Sequence, residues 1–188
     1  MNRKPTLLVL VGLAPAFGCT QSVASFGPTS TTQSTTGSGS GHSAPPPSGA
    51  AVGPVGKTAS ITQGGKTAAR LTVTAVDIAT QPGDQYGQPP QNGYYAIVHV
   101  SVQVASTFTG GFTVNPLDFY TLVNGQHYSD GDGNAFEALA SNQSQMDAAT
   151  LGAGESTSGL VAFDIPAGHG QVVYAPNVNG QPVAEWNF

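Results

Sequence analysis

The side chains best placed to do chemistry are the oxygen donors of Asp130-Gly131-Asp132-Gly133-Asn134. Oxygen ligands at alternate positions, with glycines between them, let a backbone curl around a hard cation such as calcium. The spacing departs from the EF-hand calcium loop at two places. Ala135 stands where that loop needs glycine, and Ser141 where it needs a bidentate glutamate. A solvated turn rich in Asp and Gly has the same composition. The expectation is therefore a turn, with Asp130, Asp132 and Asn134, joined by Glu137 and Asp147, as the ligands if calcium is held.

Other chemistries find less support. Gly56-Lys57-Thr58 and Gly65-Lys66-Thr67 end like phosphate-binding loops, yet Ala51 and Ser60 occupy the places of the leading glycine. Neither precedes a helix pattern, so both are expected to be turns into strands. Nucleophilic catalysis needs a base beside the nucleophile. His42, His99, His127 and His169 stand in no recognised motif, and no Gly-x-Ser-x-Gly elbow occurs. Asp77, Asp118, Glu155 and Asp164 are scattered over separate segments. With no catalytic set, the chain is read as a non-enzyme. Phe108, Phe112, Phe119, Tyr120, Tyr128 and Trp186 are expected to fill a core; if aromatics form a ligand surface instead, Phe108-Thr109-Gly110-Gly111-Phe112 is the best candidate, because its glycines suggest a loop exposing apolar rings.

The elements that position these residues begin with Met1-Asn2-Arg3-Lys4, a short positive region, and an apolar run from Thr6 to Ala16. The run is shorter than the about 20 residues that span a membrane and is read as a secretory signal over residues 1–18. Ala16-Phe17-Gly18-Cys19 resembles the lipobox of bacterial lipoproteins, where cleavage precedes a cysteine that is then acylated. The resemblance implies lipid attachment, palmitate included, at Cys19, the one cysteine of the sequence. A domain exported without disulfides depends on its hydrophobic core alone.

Residues 19–55 are rich in Ser, Thr, Gly, Pro, Gln and Ala. Such a segment buries too little surface to offset its conformational entropy. It is expected to form a disordered stalk with an end-to-end distance of roughly 30–35 Å. Once Arg3 and Lys4 leave with the signal, Lys57, Lys66 and Arg70 face ten carboxylates, a formal charge of −7. That balance repels phosphate backbones and anionic lipids. Nucleic acid is not an expected partner, and membrane contact is expected through the lipid anchor.

From residue 56 to 188 the composition turns β-branched and aromatic, in short runs punctuated by Gly, Pro, Asn and Asp. Tyr94 to Val104 places Ala96, Val98, Val100, Val102 and Val104 on one face, with His99, Ser101 and Gln103 on the other. Leu71, Val73 and Ala75 alternate likewise with Thr72, Thr74 and Val76. Further strands are expected over residues 117–124, over 126–129 after an Asn124-Gly125 turn, and over 157–165, 171–175 and 183–188. One or two helical turns are expected within 134–147. Seven or eight strands of this kind predict an all-β, immunoglobulin-like antiparallel sandwich.

Three segments reach further. Tyr95 to Val102, Leu117 to Tyr128, and Leu151-Gly152-Ala153-Gly154-Glu155 leading into Gly159 to Pro166 together resemble the immunoglobulin-like (telokin-like) domain of unknown function found in actinobacterial lipoproteins. That domain is related in fold to the mycobacterial immunoprotective extracellular antigen. The resemblance implies an extracytoplasmic sandwich without established catalytic residues. With the lipobox, the expectation is a lipoprotein on the outer face of the cell membrane whose domain binds a protein or cell-wall ligand. A calcium-stabilised spacer domain of the envelope is the alternative.

Overall fold

In the computed structural model, residues 22–27, 50–177 and 180–188 are described. The signal segment, Cys19 and most of the expected stalk lie outside the described residues. Strands are numbered in chain order: β1 (Ser22–Phe26), β2 (Ala51–Pro54), β3 (Thr58–Gln63), β4 (Lys66–Ala79), β5 (Tyr94–Val104), β6 (Phe112–Val114), β7 (Phe119–Val123), β8 (Gln126–Tyr128), β9 (Ala149–Leu151), β10 (Ser156–Ile165), β11 (Gln171–Tyr174) and β12 (Ala184–Asn187). Two five-stranded sheets, in the orders β1-β3-β4-β5-β10 and β2-β12-β11-β7-β8, pack around one core, and β6 pairs with β9 beside them.

The alternation in β5 is the foundation of the first sheet. Ala96, Val98, Val100, Val102 and Val104 are all buried, as their spacing predicts. Adjacent strands add Leu71, Val73, Val161 and Phe163 to the same core, and the second sheet closes it with Phe119, Val123, Val172, Tyr174 and Trp186. The alternation expected in β4 holds only as far as Val73. A bulge shifts the register between Val73 and Ala75, which reverses the facing of the residues beyond it. Val76, not Ala75, then packs against the core. The expected helical turn between strands is a single 3-10 turn, Ala135–Glu137.

The expected stalk is corrected at both of its ends. Ser22–Phe26 is a strand that pairs antiparallel with β3, and Ala51–Pro54 pairs parallel with β12. The physical reason is a contact between residues distant in sequence. Ala24 and Phe26 point inward along β1, where the Phe26 ring meets Trp186 edge-on at 5.6 Å between centroids. The Gly53 backbone lies against that same ring. Composition averaged over residues 19–55 conceals these two short strands.

Across the second sheet, Glu185 faces away from the Trp186 side. It is 2% exposed, and its Oε1 has no hydrogen-bond partner. Burial holds its carboxyl above the ordinary value of 4.5. Burial, and after it the Glu185 charge, also raises the Tyr120 phenol, whose ring stacks on His127 at 4.2 Å.

This packing sets two expected outcomes. Phe26→Ala is expected to lower stability by about 2–3 kcal/mol and to free the β1 amides to exchange while those of β5 remain protected, as hydrogen exchange will show. For Glu185, a carboxyl raised in the fold favours folding below its ordinary value, and that contribution is lost as pH climbs through the higher folded value. Glu185→Gln should therefore melt higher than the wild type at pH 7 and match it near pH 4.

Candidate functional site

Two long connections, residues 80–93 between β4 and β5 and 129–148 between β8 and β9, meet at one end of the sandwich. Most of their amides have no strand to pair with, and buried amides need acceptors. Asp164 on β10, fully buried, supplies them. Its Oδ2 accepts from the backbone N–H of Gln91 at 2.7 Å and of Asn134 at 2.8 Å, and its Oδ1 from that of Asn92 at 2.8 Å. The Asn92 side chain donates back to the Asp164 carbonyl at 3.0 Å. Gly133, at φ 57°, passes so close that a β-carbon would overlap the carboxylate, so the position demands glycine for space as well as for backbone conformation.

More bonds lock the two connections together. Gly83 N–H donates to the Glu137 carbonyl at 2.8 Å, and Ser141 N–H to Asp84 Oδ2 at 3.0 Å. The Gly87 backbone packs against the Glu137 carboxylate. From below, the Tyr95 hydroxyl donates to the Gln88 carbonyl at 2.7 Å. Burial, then the Asp164 and Glu137 charges, push that phenol up to about 12. On this frame stand Tyr86 and Phe136, 87% and 74% exposed. Tyr86 is next in sequence to Gly87, and Phe136 to Glu137, so both rings stand on braced connections.

Core filling, the expectation for the aromatics, holds for Phe108 and Phe112, and the alternative of an exposed loop at 108–112 is not realised. Phe112 is 1% exposed within β6, and Phe108 folds back over Gly110 onto the core. Alternation explains the burial of Phe112, because Phe112 and Val114 are the two inward positions of β6. Sequence reasoning misses Tyr86 and Phe136. The signal available for them is an isolated aromatic in a stretch of turn residues, with no alternating apolar neighbour to share a core.

The expected calcium ligands have separate partners. Asp132 Oδ2 accepts from Ser129 N–H at 2.6 Å and Ser129 Oγ at 3.0 Å, while the Asn134 side-chain amide donates to the Pro89 carbonyl at 2.8 Å. Asp130 borders a recess shared with Phe136 and Leu139. Among the described residues, no three His, Cys, Asp or Glu side chains gather into a group that could hold a metal. His99 lies on the outer face of β5, and its Nε2 is 2.8 Å from Asp77 Oδ2. Ser101, Ser144 and Ser158 line the same shallow recess. None of their hydroxyls is bonded to the imidazole. The two lysine turns run into β3 and β4, with no helix after either.

At the opposite end, a 360 Å³ recess is lined by Ser22, Gln63, Thr113, Asn115, Asp118 and Tyr174 among others. Burial, and then the Asp118 charge, raise the Tyr174 phenol above its ordinary value. These groups can hydrogen-bond a small polar molecule.

Two facing antiparallel-dominated sheets, with β2 added in parallel at one edge, define an immunoglobulin-like β-sandwich. The chain belongs to the family described as a domain of unknown function (DUF4352), which matches residues 57–183. Among solved structures it is similar to a secreted protein of Mycobacterium tuberculosis, MPT63, at 16% identity and a TM-score of 0.50, over 75% of this chain and 99% of that one. It is also similar to a candidate lipoprotein of Bacillus subtilis, ycdA, at 22% identity and a TM-score of 0.46, over 64% of this chain and 36% of that one. The chain thus spans about a third of the ycdA protein. The similarity to the yjhA protein of Bacillus subtilis is 18% in identity, with a TM-score of 0.43, over 67% of this chain and 82% of that one. No curated protein sequence is similar enough to count as a match. The expected family and fold are borne out.

Asp164→Asn replaces one acceptor oxygen by a donor facing amides. It is expected to cost about 3 kcal/mol in denaturant unfolding and to make residues 80–93 and 129–137 the first sites of limited proteolysis.

Proposed function

We propose that the protein is a lipoprotein held by acylated Cys19 on the outer face of the cell membrane, and that its sandwich is a non-catalytic interaction module. Its partner is a protein or a cell-wall component, met through the platform of Tyr86 and Phe136. The observation that carries this reading is the exposure of both rings on loops fixed by Asp164. Aromatic side chains on a rigid frame contribute large contact area at little entropic cost. Ala16-Phe17-Gly18-Cys19 supports the anchor.

One experiment tests both parts. Intact mass of protein recovered from host membranes should show diacylglyceryl Cys19, absent together with membrane retention from Cys19→Ala. That released form should sediment with isolated host envelopes, and Tyr86→Ala/Phe136→Ala should reduce its retention at least about tenfold with the melting temperature unchanged. An unlipidated mass refutes the anchor; equal retention refutes the platform.

A further inference from the structure

We infer that the domain rests with the Ser22 end of its first sheet against an anionic phospholipid surface, Lys66 and Arg70 meeting the headgroups and the aromatic platform turned away. The inference rests on acylation of Cys19, and it starts from the length of the leash. β1 begins three residues after Cys19, so even a fully extended connection reaches at most about 11 Å. The 11 residues of β5 span about 36 Å at strand rise. The domain is longer than its leash and must lie close to the bilayer, with the end where β1 begins nearest to it.

The chemistry of that end suits the position. Ser22 opposes Gln63, and Gln63 opposes Lys66 across the next hairpin, so an exposed lysine sits beside the point of attachment. Arg70, also exposed, opposes Gln103, whose amide donates to the carbonyls of Gly154 and Glu155 in the turn at the same end. Lys57 belongs to the far end of β3. Of the carboxylates, Glu155 stands at the leash end, with its Oε2 accepting from Gly152 N–H at 2.7 Å, and Asp118, buried, lines the recess beside Ser22 and Gln63. Asp77, Asp84, Asp132 and Glu137 lie toward the platform. Val23, 55% exposed, adds an apolar side chain next to the leash.

The negative net charge does not oppose this arrangement. Screening limits electrostatic contact to about 8–10 Å, so headgroups meet the local sign of the surface and not the molecular total. The expectation of lipid contact alone, drawn from the net charge, gives way to one in which the lipid holds the domain and two cations turn it.

The test uses the lipidated full chain, recovered from membranes and reconstituted into vesicles of phosphatidylglycerol and phosphatidylcholine. A fluorophore is placed on Thr67→Cys, near the leash, or on Tyr86→Cys, at the platform, and a nitroxide on the headgroups quenches it. Quenching at position 67 should exceed that at position 86 by roughly threefold or more, and Lys66→Glu/Arg70→Glu should abolish the difference while the protein stays bound. Equal quenching at both positions of the bound wild type, or stronger quenching at 86, overturns the orientation and leaves the anchor standing. Failure of the wild type to stay on pure phosphatidylcholine vesicles overturns the anchor, and the orientation with it.

Discussion

A carboxylate in a protein interior must collect donors or lose its charge. Asp164 collects three, all of them backbone amides, and that requirement organises one end of the molecule. The connections it holds lack strand pairing along most of their length, although Gln145 bridges to Leu160 of β10 and Ala135, Ala138 and Met146 are buried. Each is fixed because the charge needs it as much as the reverse. Charge-assisted bonds of this kind are among the stronger hydrogen bonds available. They turn two turn-rich segments into a frame stiff enough to keep aromatic rings in water.

The edge strands β1 and β2 are governed by different physics. There the sandwich closes through packing, with Phe26 edge-on against Trp186 and the Trp186 indole N–H donating to the Lys57 carbonyl at 2.7 Å. Gly53 admits the Phe26 ring because it has no side chain to obstruct it. A strand from near the start of the sequence and another from just before the family's matched region are thereby drawn into the two sheets. The domain is larger than residues 57–183, and its additions lie on the edges of both sheets, where unpaired strand edges would otherwise stand exposed.

Much of the fold was legible in the sequence. Tyr94 to Val104 could be placed residue by residue because one face of β5 is core and the other is not, which is the condition under which alternation is unambiguous. The bulge at Thr74 was not legible, since nothing in Leu71 to Val76 marks a break in phase. β1 was hidden because Ser-Val-Ala-Ser-Phe owes its order to a ring contact with a residue at the far end of the chain. The same non-locality concealed Asp164. It was visible as one scattered carboxylate, but its partners are main-chain groups 72 and 73 residues before it and 30 residues before it. Side-chain types do not report where backbone amides go. The alternative of an exposed loop at Phe108 and Phe112 fails because glycines beside an aromatic signify a tight fold-back as readily as an exposed loop.

The direction of β1 has a mechanical meaning. It runs from Ser22 toward the end where Asp164 holds the two long connections, antiparallel to β3 over the five register pairs from Ser22 and Gln63 to Phe26 and Ala59. A pull on its first residue, directed away from that end, acts along the strand axis. The load then falls on all the interstrand hydrogen bonds together, as in shear, and on the Phe26 ring lodged against Trp186. The same strand pulled across its axis would open one bond at a time. Force applied through the residues before Ser22 therefore meets the strand in its more resistant direction.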